Sequence, residues 1–97
     1  MIEAGDIHLA DLNEERRRRV LVLSTSRFHR FAGRALVAPE IVGEPDDLPF
    51  PWRVTIDDGT YAIDFLRSIP ISRLLERADR APHAAMQSVR RALLHIT

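Results

Sequence analysis

The sequence contains no cysteine and no lysine. Without cysteine it can form neither disulfides nor thiolate metal sites. Its fourteen cationic side chains are therefore all arginine, matched by fourteen Asp and Glu. That balance excludes a basic field over the whole molecule, so any anion binding must come from local clustering. Arginine-only usage also fits a GC-rich genome and carries little weight by itself. No apolar run approaches the ~20 residues that span a bilayer. Glu3 and Asp6 precede any apolar stretch, unlike a secretory leader, so a cytoplasmic location is expected, with no membrane partner. Internal repeats, low-complexity tracts and domain boundaries are lacking too, and residues 1–97 are expected to form one domain. The hydrophobic share of 45% and charged share of 29% are those of ordinary globular chains. A core of this size is marginal, and a dimer interface would help it.

The most informative stretch present is Arg16-Arg17-Arg18-Arg19-Val20-Leu21-Val22-Leu23-Ser24. Its branched, charge-free run reads as a strand buried on both faces. Unpaired charge is costly to bury, so the arginines belong at the rim of the core. A guanidinium is planar, always charged and forks around phosphate oxygens, so such a rim suits a phosphodiester. Alternation along a strand puts Arg16 and Arg18 on one face and Arg17 and Arg19 on the other. One pair is then structural or solvated, with Glu14 and Glu15 as candidate partners.

Gly5 to Leu12 alternates partly and reads as the first strand, joined to the arginine strand through a turn at Asn13-Glu14-Glu15. Ser24 to Arg30 suits a turn or one helical turn. Gly33 opens a strand over Arg34–Ala38 that Pro39 stops. Gly43 to Pro51, with three prolines, is the most loop-like segment. Trp52–Ile56 alternates as a strand, Asp57-Asp58-Gly59 is a hairpin signal, and Thr60–Phe65 and Arg67–Pro70 complete the strands. Ser72 is placed to cap a short helix through Leu74 and Leu75. Pro82 suits the start of a last helix, with Met86, Val89, Leu93 and Ile96 on its apolar face and Gln87, Arg90 and Arg91 opposite. Short strands followed by a helix indicate a mainly β protein with α, a small barrel or half-barrel closed by that helix.

Three motifs fall in order: Gly5-Asp6-Ile7, then Arg18-Arg19-Val20-Leu21-Val22-Leu23-Ser24, then Ile63-Asp64-Phe65-Leu66-Arg67-Ser68-Ile69. Their order and spacing resemble the MazF/PemK (Kid) toxins of type II toxin–antitoxin modules, essentially end to end. The resemblance implies an SH3-like β-barrel with a C-terminal helix, a homodimer, and metal-independent, sequence-selective cleavage of single-stranded RNA (mRNA, tRNA or rRNA). It also implies a cognate antitoxin whose C-terminal segment lies across the RNA groove. The family's catalytic arginine matches Arg18, with Arg19 in place of the following proline, and its late acidic residue matches Asp64. Three positions depart from the pattern. Ile41 stands where a threonine or serine is usual, Phe65 replaces a glutamine, and the loop joining the first two strands is short.

RNA cleavage by its own 2′-hydroxyl needs a base, an acid and charge stabilisation near phosphorus. Arg18 is the candidate for the last, and Asp64 for a base or for orienting Arg18, with a salt bridge to Arg67 as its structural role. Arg16, Arg17, Arg19 and Arg67 are candidate RNA-binding residues, with His29 beside them in an expected exposed turn. A surface histidine is the commoner outcome for His29, as core or dimer packing is for Phe50 and Trp52. His8 fits core or edge, and His83 and His95 the surface of the last helix. Glu40 adjoins the lost hydroxyl position. The four histidines lack ligand spacing with carboxylates, so neither a metal nor another cofactor is expected. Three functional classes remain: an endoribonuclease toxin, a CcdB-like toxin that binds gyrase without nuclease chemistry, and a degenerate antitoxin-binding module.

Overall fold

Five antiparallel strands, in the spatial order Arg67–Pro70, Arg34–Pro39, Arg18–Val22, Asp6–Ala10 and Leu74–Arg80, make the main sheet, and Arg53–Ile56 pairs with Gly59–Ala62 in a separate hairpin. The computed structural model describes residues 1–41 and 50–97. The strands are β1 (Asp6–Ala10), β2 (Arg18–Val22), β3 (Arg34–Pro39), β4 (Arg53–Ile56), β5 (Gly59–Ala62), β6 (Arg67–Pro70) and β7 (Leu74–Arg80). Helix α1 (Ser26–Ala32) joins β2 to β3, and α2 (His83–Ile96) ends the chain. Single 3-10 turns, Ile63–Phe65 and Ile71–Arg73, lead into β6 and β7. Most of the proline-rich segment Gly43–Pro51 lies outside the described residues.

Alternation along β2 explains how one apolar run is buried twice over. Val20, Leu21 and Val22 are all fully buried. Val20 and Val22 join Ala10, Leu12, Ala35, Val37, Ile69 and Leu74 in one cluster. These residues come from all five strands or their ends, so the sheet must curl around them. The edges β6 and β7 are linked by the Ile71–Arg73 turn, which closes the curl where, among the described residues, no ladder joins them. Leu21 faces the other way with Ile7 and Ala38, under Val54, Ile56, Tyr61 and Ile63 and under Val89 and Ala92 of α2. Full burial of such a side chain stabilises by roughly 1.5–3 kcal/mol.

The opening Gly-Asp-Ile motif fastens this sheet. Gly5, at φ 94°, donates its N–H to the Val22 carbonyl (2.8 Å) and accepts from Ala81 (2.7 Å). Asp6 is buried; it accepts from the Glu3 N–H at 3.0 Å and from Arg80 at 3.1 Å.

Several elements differ from the sequence expectation. Leu74–Arg80 is not helical. Strand β1 offers it a ladder, with Ala10 opposite Leu74, His8 opposite Arg77 and Asp6 opposite Arg80, and this long-range pairing overrides the local capping signal at Ser72. Strand β3 ends at Pro39, opposite Val20, as expected; beyond it Glu40 N–H bonds to the Arg19 carbonyl (3.0 Å) and Ile41 N–H to that of Thr60 (2.8 Å). The Thr60–Phe65 strand ends at Ala62 and turns. The single helical turn is a seven-residue helix, N-capped by Thr25, whose side chain accepts from Phe28, and stopped by Gly33 at φ 67°. On α2, Val89 and Ala92 are buried, Met86 and Leu93 pack partly, and Ile96 is exposed.

Candidate active site at the barrel rim

Strand β2 begins at Arg18, opposite Ala10 of β1. Arg16 and Arg17 precede it on the exposed connection, so the expected alternation applies to Arg18 and Arg19 alone. Arg18 shares its face with Val20 and Val22, at the mouth of the barrel. Its Nη2 donates to Glu14 Oε2 at 2.7 Å, and both side chains stay substantially exposed. Arg16 and Arg17 make no ion pair among the described residues. Three guanidinium groups therefore meet solvent at this rim, one of them paired to Glu14. Past the Val20–Pro39 pair the chain turns to β5, with Glu40 bridged to Tyr61 and Ile41 N–H on the Thr60 carbonyl. On the β4–β5 hairpin, the Thr55 and Thr60 hydroxyls lie 3.2 Å apart and bond to each other.

Arg19 lies on the opposite face and is committed there. Its Nη2 donates to Glu40 Oε2 at 2.6 Å and reaches Asp58 Oδ1 at 3.5 Å. The hydrogen bond to Glu40 is the main cause that raises the Arg19 pKa further. Tyr61, buried beside the pair, has its phenol pushed up to about 12, chiefly by desolvation. Gly59 lets Glu40 approach, because a Cβ there would stand 2.5 Å from Glu40 Oε2.

Asp64 binds neither Arg18 nor Arg67. It takes Arg53 in a two-pronged pair, Nε to Oδ1 at 2.9 Å and Nη2 to Oδ2 at 3.2 Å. The hairpin brings Arg53 back opposite Ala62, two residues before Asp64, a proximity invisible in the linear motif. Arg67, opposite Val37 on β6, is exposed and makes no ion pair among the described residues.

His29 is the main correction. It sits on the inner face of α1, 8% exposed, rather than in an exposed turn. Its Nδ1 meets the Ile2 carbonyl at 3.0 Å, and its Nε2 meets Ser24 Oγ at 2.6 Å. A carbonyl only accepts, so Nδ1 carries the proton and Nε2 accepts from the serine hydroxyl. That hydroxyl also accepts the Leu36 N–H at 2.9 Å. His29 thus ties the N-terminal segment to α1 and β3, with both ring nitrogens engaged. His8 is also buried, bonded through Nδ1 to the Leu75 carbonyl at 3.0 Å. Among the described residues, no three His, Asp or Glu side chains gather to hold a metal ion.

Residues 3–97 match the family model of the PemK-like, MazF-like toxins of type II toxin-antitoxin systems. The chain belongs to this family. A MazE–MazF complex (form I) from Deinococcus radiodurans is 29% identical to this toxin, with a TM-score of 0.77 over 98% of this chain and 94% of that one. A second crystal form of that complex gives 25% and 0.82 over 98% and 93%. A mycobacterial endoribonuclease bound to its cognate antitoxin superposes at a TM-score of 0.84 over 98% and 93%, at 15% identity, a likeness of fold. A search of curated proteins by sequence found no match.

Within this toxin, the residues that sequence reasoning missed are Arg53 and Tyr61. Glu14 was anticipated only as an alternative partner for the arginines. The i, i+4 spacing of Glu14 and Arg18 was the available signal. Arg53 and Tyr61 owe their places to the β4–β5 hairpin folding onto the sheet.

Proposed function

We propose that this toxin is an endoribonuclease that cleaves single-stranded RNA without a metal ion, and that Arg18 is its charge-stabilising residue. One observation carries the reading: Arg18 stands at the barrel mouth, paired to an exposed carboxylate and flanked by Arg16 and Arg17, which make no ion pair among the described residues. A phosphate entering this rim meets the Arg18 guanidinium, which strand β2 and the Glu14 pair hold in place, the preorganisation that stabilises a developing phosphorane charge. Glu14, in contact with Arg18, takes the proton of the 2′-hydroxyl as its oxygen attacks phosphorus. The 5′-oxygen leaves and is protonated from solvent or from Arg18-bound water. Arg16, Arg17 and Arg67 bind backbone phosphates, a contribution that salt weakens. Asp64 acts through Arg53. Arg19 forms the wall behind the rim, and His29 holds the fold rather than the RNA.

The same reading includes a cognate antitoxin that occupies the rim, two copies of the chain in the working toxin, and action in the cytoplasm. The complexes from Deinococcus and the mycobacterial species support the antitoxin. Leu94 and Ile96, exposed on α2, support self-association. No helix among the described residues is long and apolar enough to cross a membrane.

The test is incubation of the purified protein with a pool of single-stranded RNAs in EDTA. Wild type should cut, and Arg18→Ala should cut roughly 10²–10³-fold more slowly, the loss typical for one transition-state donor. Absence of cutting by the folded wild type across the whole pool overturns the reading.

A further inference from the structure

One surface of the toxin pairs aromatic rings with cations away from Arg18. Phe65 is 60% exposed, a large ring that the core does not use. The Arg53 guanidinium lies 5.3 Å from its centroid and 5.9 Å from that of Phe50. Phe50 in turn stacks on Trp52, centroids 5.2 Å apart and planes 14° from parallel. Asp64 holds Arg53 by two hydrogen bonds along the edge of the guanidinium. Such a grip fixes the plane and offsets the charge while leaving the flat faces for stacking. Beyond Phe65 the backbone is extended at Leu66 (φ −55°, ψ 143°). Arg67 therefore follows about 6.6 Å along the chain, exposed and without an ion pair among the described residues.

We propose that Phe65, backed by Arg53, is a stacking seat for one nucleobase of the RNA, with Arg67 on an adjoining phosphate. This rests on the nuclease reading above and adds to it a residue that shapes substrate choice. A phenyl ring offers a π-face but no donor or acceptor, so the seat distinguishes a base from no base, and bases from one another only by stacking strength. An exposed ring followed two residues on by a guanidinium that makes no ion pair among the described residues matches a nucleotide, which carries a flat base and an anion a few ångströms apart. The seat therefore selects weakly, and RNA preference at this position is broad.

The experiment uses single-stranded RNA substrates that carry one abasic site at each position in turn, cut under single-turnover conditions. One abasic position should slow wild-type cutting by about 5- to 100-fold, the range for a base stacked on an aromatic ring. Phe65→Ala should slow cutting of intact RNA by a similar factor and become indifferent to that abasic site, while Phe65→Trp should keep both behaviours. Arg67→Gln should lower the salt slope of RNA binding by about one. If wild type cuts RNA but Phe65→Ala retains its rate and its abasic profile, the seat is refuted and the nuclease stands. The same holds if Phe65→Ala weakens only capture of the antitoxin peptide, which makes Phe65 a peptide contact. If wild type cuts nothing, the nuclease reading fails, and the abasic profile is read from binding anisotropy, where a flat profile refutes the seat as well.

Discussion

Neighbouring arginines in this toxin should fail in different ways when removed. Arg19→Met deletes the donor to Glu40, whose side chain is only 16% exposed, and leaves that carboxylate beside the buried Tyr61. A part-buried acceptor stripped of its charged partner costs about 1–3 kcal/mol. In a domain of this size each kcal/mol lowers the melting midpoint by roughly 4–8 °C, so a fall of about 5–20 °C is expected. Arg18→Met removes a partner from an exposed pair worth at most about 1 kcal/mol, so its midpoint should move by a few degrees, while RNA cutting falls roughly 10²–10³-fold. The double variant Arg19→Met/Glu40→Leu removes both charges and should recover much of the stability lost by Arg19→Met alone. The assays are thermal and urea unfolding, with single-turnover cutting well below each variant's midpoint. The reasoning is refuted if Arg19→Met melts with wild type, or if Arg18→Met loses stability instead of activity.

Three further outcomes follow from the same geometry. The Tyr61 phenol titrates near 12 in the fold against an ordinary 10.0. Its raised value adds stability that is complete below pH 10 and disappears as pH climbs through 12. Over that interval wild type should lose about 2–3 kcal/mol more unfolding free energy than Tyr61→Phe, measured by urea melts at stepped pH. Gly59→Ala should push Glu40 off Arg19 and cost about 1 kcal/mol, and a double-mutant cycle with Arg19→Met should show that cost shrinking. His29→Ala should release the Ile2 carbonyl and Ser24, lower stability by about 2 kcal/mol, and speed amide exchange over the first five residues. Unchanged exchange there would remove the tethering role.

Legibility in the sequence tracked the range of the interactions involved. Val20 to Val22 could be read as a doubly buried strand because no charge interrupts them, and Asp57-Asp58-Gly59 as a hairpin because its chemistry is local. The separation of Arg18 from Arg19 followed from strand alternation, but the point where the strand begins did not, and Arg16 and Arg17 fell outside it. Strand β7 was missed because its exposed half, Glu76 to Arg80, has the polar composition of a solvated element. Its pairing with β1 belongs to the opposite end of the chain. Asp64 was noticed for its motif, but its partner Arg53 comes from the preceding strand of the hairpin. His29 looked exposed because a short helix between two caps was read as a turn, and only the helix turns that ring inward.

The sheet order also has a temporal side. Strand β1 has β2 on one flank, made soon after it, and β7 on the other, made only after β3 to β6. A chain emerging from its N-terminus at ~5–20 residues per second leaves one edge of β1 bare until the final helix is under way. The curled sheet cannot shut around Val20 and Val22 before then, and the mouth that displays Arg18 does not exist. A chain halted before β7 therefore carries its arginines without the curled sheet that brings Arg18 to the rim.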